Sequence, residues 1–338
     1  MNSFGRLFRV HIFGESHGDC AGLTIDGCPA GLDLSAEDFF IDIERRKGGT
    51  KGTTPRKEDD IPKIITGWFN GKTTGAPLTI LFENKNTRSG DYEKQRAFPR
   101  PGHADFTAHK KFGGYEDFRG SGHFSGRLTV SLVAAGVVAK KMLQPPPHPE
   151  GGIGISITSS IIEIGGETDL DKGLQKAIDE KDSIGGIVEC RVNNLPVGLG
   201  EPFFDSVESL ISHAVFAIPA VRGIEFGTGF AAAKMFGSKH NDAIADETGK
   251  TVTNHAGGIV GGITNGNEFV FRIAIKPTSS TPKEQESLNW ETNTVENFSI
   301  KGRHDLCIAL RVPVILEAVT AFVLADLMML ENKIKRIL

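Results

Sequence analysis

The chain has 338 residues, 39% of them hydrophobic, which is enough apolar material for a large buried core and too much for a disordered chain. A net charge of −4 with no long basic block argues against a dedicated nucleic-acid binder. No window reads as the roughly 18 apolar residues of a spanning helix and no leader-like run opens the chain, so the expectation is a cytoplasmic protein with no membrane partner.

In chain order, residues 7–13 alternate as a strand and run into GESHG (14–18), where a glutamate, a serine and a histidine sit on a turn hinged by two glycines. Residues 22–25 read as a second strand. Over 35–47 the period turns helical, with Ser35 as cap and Asp38 at the capping-box spacing. Residues 61–68 and 78–82 read as strands. A helix over 128–143 stops at QPPPHPEGG (144–152), because proline cannot continue it. That stretch reads either as a connecting loop or as the break between two similar halves of a single domain. Beyond it, strands are expected at 153–164, 187–192 and 269–275, and helices at 169–180, 206–216 and 314–338. Strands tend to come in adjacent pairs and helices singly, so the fold class is α+β with largely antiparallel sheets.

Four cysteines, Cys20, Cys28, Cys190 and Cys307, stand apart from one another and from zinc-type histidine spacing, which reads as reduced thiols and no metal. Charge is unevenly spread, +3 over residues 1–140 and −7 beyond. In the first part Arg45, Arg46, Arg56, Arg100, Arg119 and Arg127 lie in or beside Gly/Pro stretches, where backbone can approach a ligand closely. Further glycine-rich segments carry polar centres: RPGHAD (100–105), FRGSGHFSGR (118–127), NHAGGIVGG (254–262) and KGRHD (301–305). KPTSS (276–280) sets an ammonium beside hydroxyls, as a phosphate cradle requires. None is a GxxxxGK[ST] loop or a strand-borne GxGxxG turn, so ordinary nucleotide folds are disfavoured.

His17, His103 and His304 each lie within two residues of a carboxylate, Glu15, Asp105 and Asp305. Three such coincidences point to acid/base groups gathered around an anion. His11, His109, His148, His213 and His240 do not combine a nearby carboxylate with a neighbouring glycine or arginine. A Ser-His-Asp hydrolase using Ser16 or Ser125 lacks a GxSxG elbow. A di-histidine metal site lacks HxH, HExxH and HxxxH.

GRLFRVHIFGESHG, RPGHADFT, DSIGGIVE (182–189), GLGEPFFD (198–205), GIEFGTGF (223–230), NHAGGIVGGITNG, KPTSS and GRHDLC occur in an order that closely resembles the chorismate synthase family over the whole chain. The resemblance implies a β-α-β sandwich of two similar halves, assembled as a homotetramer. It also implies the reaction: 5-enolpyruvylshikimate 3-phosphate loses phosphate and a C6 hydrogen by anti 1,4-elimination to give chorismate. Reduced FMN (FMNH2) is required without net redox change, with NADPH as a candidate reductant.

Carried over by position, the resemblance implies that His17 protonates the departing phosphate, His103 stabilises the anionic reduced flavin, Asp305 assists proton removal at flavin N5, and Ser16 and Ser125 relay protons. It implies FMN contacts at His123, Phe124, Ser125, Ala220, Gly261, Lys276, Pro277, Thr278, Ser279, Ser280 and Arg303. Arg46 aligns with a position for NADPH or substrate anions, and Arg45, Arg100, Arg119 and Arg127 are candidate substrate clamps. The residue types agree, because two carboxylates and two phosphates need cations, and the guanidinium fork suits both anions. Two positions depart from the family pattern. Many bacterial relatives read RSSAR where this chain reads HFSGR (123–127), and Gly52 stands where a basic residue follows the ERRK helix. A flavin oxidoreductase acting on a phosphorylated anionic substrate, or a non-enzymatic polyanion-binding protein, would require no fixed partner for KPTSS and the histidines.

Overall fold

The computed structural model describes residues 2–55, 58–85, 96–144, 154–300, 302 and 304–338. Period-two alternation builds the first sheet from β1 (Ser3–Phe4), β2 (Arg9–Gly14), β3 (Cys20–Asp26), β4 (Lys63–Thr66) and β7 (Leu78–Glu83). Their order is β1-β2-β3-β7-β4 and every neighbouring pair is antiparallel. Leu23 and Ile25 on β3, with Leu78, Ile80 and Phe82 on β7, are fully buried on its inner face. The stretch expected as one strand over 61–68 is broken: Gly67, at φ +77°, separates β4 from a small hairpin of β5 (Trp68–Phe69) and β6 (Lys72–Thr73).

The second sheet, order β10-β13-β9-β8, is also antiparallel throughout. It consists of β8 (Ser156–Ile164), β9 (Gly186–Asn193), β10 (Val221–Phe226) and β13 (Phe269–Ile275). Two further hairpins, β11 (Ile259–Val260) with β12 (Ile263–Thr264) and β14 (Gln285–Asn289) with β15 (Thr294–Phe298), project from this half.

The helices are α1 (Phe40–Arg46), α2 (Asp105–Phe112), α3 (Thr129–Met142), α4 (Leu170–Glu180), α5 (Val207–Val215), α6 (Gly237–His240) and α7 (Val312–Leu330). Helix α3 packs on the first sheet, α7 on the second, and the two pack on each other, giving the β-α-β sandwich of two similar halves. Their crossing is close enough that a Cβ on Gly136 would lie 2.2 Å from the Ala318 Cβ, so glycine is needed there. The proposed seam at 144–152 lies, beyond Gln144, outside the described residues.

Two expectations are corrected. Ile308–Leu330 is long and apolar enough by length and composition to cross a membrane, with a hydropathy of 2.0, contrary to the reading that no window reaches that mark. Glu317 and Asp326 made the run look interrupted, but both acids turn inward to protein partners, and 78% of the apolar window is buried by the rest of the fold. It is the central core helix. The same helix ends at Leu330 rather than 338, because ENKIKRIL loses the apolar pattern; the chain then folds back so that the Leu338 N–H reaches the Ala30 carbonyl at 3.1 Å. Helix α2 and strand β10 were not expected: the first is only 8 residues long, and the second carries Gly223 beside a bulge.

Candidate active site

A cavity of about 860 Å3 opens beside the start of α3 and the start of α7, at the scale of a site for small ligands. Val10, Ile12, Leu128, Leu132, Ile315 and Phe322 contribute apolar lining. The charged lining is unbalanced. Among the described residues, seven cations, Arg46, Lys47, Arg100, Arg127, Arg222, Lys276 and Arg311, face three acids, Glu58, Asp60 and Asp305, in a chain whose net charge is −4.

Arg46 ends α1 and Arg127 precedes α3, and both point at the same carboxylate. The Arg46 Nη2 lies 2.7 Å from Asp60 Oδ2, and the Arg127 Nη1 donates to Asp60 Oδ1. Burial would push the Asp60 carboxyl up, but the two guanidiniums outweigh it and hold the group below its ordinary value. Burial also lowers Arg46 to about 10, which leaves it charged at neutral pH. Among the described residues its buried Nε has no hydrogen-bond partner. Arg311 joins this cluster to Asp305: its Nε donates to the Arg46 carbonyl at 2.9 Å and its Nη1 to Asp305 Oδ2 at 3.1 Å, while Asp305 Oδ1 accepts the Thr54 N–H at 2.9 Å.

The GESHG turn docks on this wall. Gly14 adopts φ +99°, where a Cβ would fall 2.2 Å from the Cys20 carbonyl oxygen, so the hairpin closes only with glycine. Asn84 clamps the turn by donating to the Glu15 and Gly18 carbonyls at 2.9 and 2.8 Å, and it accepts from Arg127 Nε at 2.9 Å. The Ser16 N–H reaches the Gly122 carbonyl at 3.0 Å. A Cβ on Gly120 would meet the His17 ring at 2.2 Å and the Ser16 Oγ at 2.8 Å, so the GESHG and RGSG turns touch backbone to side chain. Ser16 lines the cavity; His17, 8% exposed, lies directly behind Gly120.

RPGHAD and KPTSS form the opposite rim. Arg100 makes a two-pronged bond to Asp105, Nε to Oδ2 at 2.7 Å and Nη2 to Oδ1 at 2.8 Å, and its Nη1 donates to Ser280 Oγ at 3.1 Å. His103 Nδ1 lies 2.7 Å from Asp105 Oδ1. Lys276 donates to the Gly102 carbonyl at 2.7 Å and to Ser279 Oγ at 2.6 Å, which ties the two segments together. Burial and then the nearby Arg222 charge lower its pKa. His304 is neutral at physiological pH: burial and the Arg100 charge push it down to about 4.

A family profile described as chorismate synthase matches residues 8–329. The chain belongs to the chorismate synthase family. The chorismate synthase of Chitinophaga pinensis is 67% identical over 100% of this chain and 99% of its own length. That of Methanocaldococcus jannaschii is 41% identical over 97% of this chain and 96% of its own. A crystal structure of chorismate synthase superposes with a TM-score of 0.70 at 26% identity, covering 97% of this chain and 93% of that one. The family's activity follows: this is a lyase of the shikimate pathway that eliminates phosphate from 5-enolpyruvylshikimate 3-phosphate to give chorismate.

Of the residues singled out in the sequence, Ser16, Arg46, Arg100, His103, His123, Phe124, Ser125, Arg127, Ala220, Lys276, Pro277, Thr278, Ser279, Ser280, His304 and Asp305 line this one cavity, whereas His17 lies outside its lining. Gly261 lies on the exposed β11–β12 turn, outside the lining. Arg45 is bonded to Glu317 and Asp42, and Arg119 to Asp117; neither lines the cavity. Arg56 and Arg303 fall outside the described residues. His123, at the departure from RSSAR, donates from Nδ1 to the Gly14 carbonyl at 2.9 Å and so braces the GESHG hairpin. Gly52 sits at φ +85°, which strains any residue with a side chain, and an added Cβ would press on the Leu174 Cδ1 at 2.7 Å. Sequence reasoning missed Asp60, Asn84, Ser121 and Arg311. Only Ser121, inside the quoted GSG, carried a local signal.

Proposed function

We propose that this cavity binds reduced FMN together with 5-enolpyruvylshikimate 3-phosphate and carries out the elimination there. The carrying observation is the excess of lining cations over acids, which suits ligands that bring two carboxylates and two phosphates. The residues present fit the flavin as well: an apolar lining for its ring system, hydroxyls and Lys276 in KPTSS for its phosphate, and Ala220, held at the unusual φ of +75°, at the wall. When bound, the reduced flavin would supply an electron-rich ring to the elimination.

In this reading Arg46 and Arg127 meet the substrate's anionic groups with donor capacity that Asp60 does not absorb. His17, just behind Gly120 and next to Ser16, is the source of the proton for the departing phosphate oxygen, with Ser16 and Ser125 on the cavity wall as relays. His103 would stabilise the anionic form of the reduced flavin. Asp305, anchored by Arg311 and the Thr54 N–H, would assist proton removal at flavin N5. Because position 52 is a glycine and carries no basic side chain, Arg46 alone remains of the expected NADPH contacts, and the flavin is taken to arrive already reduced.

The exposed aromatics Phe203, Phe204, Phe230 and Phe236, each more than 80% accessible, support the homotetramer implied by the resemblance, since patches of this kind mark subunit contacts. The same reading puts the enzyme in the cytoplasm with no nucleic-acid or membrane partner. The test is anaerobic turnover with dithionite-reduced FMN and no NADPH. Phosphate released should equal chorismate formed while the flavin absorbance stays constant over many turnovers. Progressive flavin oxidation tracking product would replace the lyase reading with an oxidoreductase, and binding without turnover would leave a polyanion-binding protein.

A further inference from the structure

Residues 120–122 are bent in an unusual way. Gly120, Ser121 and Gly122 all have left-handed φ, at +57°, +72° and +51°. Glycine adopts such angles freely, whereas a serine there is strained, and strain of this kind is kept where surrounding structure enforces it, commonly at functional sites. What the strained position gains is a hydroxyl. Ser121 Oγ lies 2.8 Å from Arg100 Nη2 and 3.3 Å from His103 Nε2, and Ser121 lines the large cavity.

Hydrogen-bond accounting then settles which atom carries which proton. Burial would raise the Asp105 carboxyl, but bonds from Arg100 and His103 hold it far below the usual carboxylate range, so it is ionised and can only accept. His103 Nδ1, 2.7 Å from Asp105 Oδ1, therefore carries a hydrogen. Arg100 Nη2 has two N–H bonds and spends one on Asp105 and one on Ser121, so its 3.1 Å approach to Nδ1 is proximity rather than a hydrogen bond. With Nδ1–H fixed, a neutral ring presents its lone pair at Nε2. Ser121, already accepting from Arg100, has one O–H left to aim at it.

We propose that Asp105 and Ser121 are positioning residues for His103: Asp105 holds the proton on Nδ1, and the Ser121 hydroxyl connects Nε2 to the cavity. When Nε2 gains a proton it donates to Ser121 Oγ, whose own hydrogen swings into the cavity toward a bound anion. When the ring is neutral the hydroxyl turns back to Nε2. No bond other than O–H and N–H is made or broken, and the proton count balances between His103 and the ligand. The inference deepens the proposed function and rests on it for its kinetic part only.

The decisive measurement is 15N NMR of the ligand-free protein labelled in histidine, with His103 assigned by its loss in His103→Asn. The expected wild-type ring is the Nδ1–H tautomer, and Asp105→Asn, whose amide can donate to Nδ1, should move the hydrogen to Nε2 and lower kcat on the order of 10- to 100-fold. An Nε2–H ring in the wild type overturns the assignment. Should Asp105→Asn fail to fold, Ser121→Gly still decides, because glycine accepts φ +72° without strain. That variant should melt no lower than wild type yet lose on the order of tenfold in kcat with KM little changed. Wild-type kcat in Ser121→Gly would reduce Ser121 to a loop residue and overturn the proposal. A wild type without turnover would sink the functional reading instead, while the tautomer measurement would still judge this one.

Discussion

Glu317 and Asp326 on the central helix, and Arg46 and Arg127 on the cavity wall, are all nearly buried charges, yet their surroundings differ. Glu317 accepts from Arg45, Lys140 and the Ser159 N–H, and Asp326 accepts the N–H groups of Arg6, Leu7 and Phe8. Every carboxylate oxygen there is used, and the bonds tie α7 to α1, α3, β8 and the segment entering β2. On the wall, two guanidiniums share the single carboxylate of Asp60, and among the described residues Arg46 keeps a buried N–H without a hydrogen-bond partner. Closed charge clusters join layers; an open one with surplus cation is stabilised by an arriving anion.

The sharpest separation of the two regions comes from His17→Ala. If His17 is the general acid for phosphate, single-turnover rate should fall about 10²- to 10⁴-fold while thermal midpoint and FMN affinity stay near wild type. A rate within a factor of a few of wild type would remove it from the mechanism. Glu317→Gln should behave in the opposite way. It leaves Lys140 and Arg45 facing a lost charge, and since Arg45 is partly exposed the cost should be about 2 to 3 kcal/mol in urea unfolding, with little change in kcat of the folded enzyme.

Asp60→Asn sharpens the contrast further. It should destabilise by about 3 kcal/mol, because two buried guanidiniums lose their counter-ion, but added phosphate should restore more stability to it than to Glu317→Gln. Equal response of the two variants to phosphate would erase the distinction between open and closed clusters. Lys276→Ala is a smaller effect. It removes one charge-assisted contact and should weaken FMN binding by about 1.5 to 3 kcal/mol while making the residual binding less salt-sensitive; unchanged affinity would assign Lys276 only the tie between KPTSS and Gly102.

The smallest effect is on pH. Asp60 and Glu317 are both held below their ordinary values despite burial. At low pH the unfolded chain therefore binds protons that the folded one refuses, so their contribution is present above the ordinary carboxylate values of about 4 to 4.5 and is lost as pH falls from there through the lower folded values. The thermal midpoint of Glu317→Gln should fall less steeply than that of wild type between pH 5 and 3, and parallel curves would show that Glu317 contributes nothing to acid lability.

Much of this organisation is written in local pattern. The alternation over 7–13 and 78–82 became β2 and β7, and the helical period over 128–143 became α3, because period and burial are properties of a few consecutive residues. The short helix α2 escaped because a single weakly amphipathic turn or two has no clear period. The membrane-like character of α7 was underestimated because Glu317 and Asp326 interrupt its apolar run in sequence, although each is satisfied by groups brought from elsewhere.

For the site, residue type and glycine context were enough to pick out GESHG, RPGHAD, the GSGHFSG turn, KPTSS and GRHD as places where backbone approaches a ligand and protons can move. They did not say which side chains would share one cavity. Asp60 meets Arg127 across 67 residues of chain, Asp326 meets the N-terminal turn across more than 300, and Ser280 reaches Arg100 across 180. Such pairings have no signature in composition, because a lone carboxylate, serine or asparagine looks the same whether it is solvated or locked between two arginines. Only the folding of both sheets onto α3 and α7 decided that the arginines of the first half and the Lys276 and Asp305 loops of the second would face one another, and that Ser121 would be bent backwards to put a hydroxyl against His103.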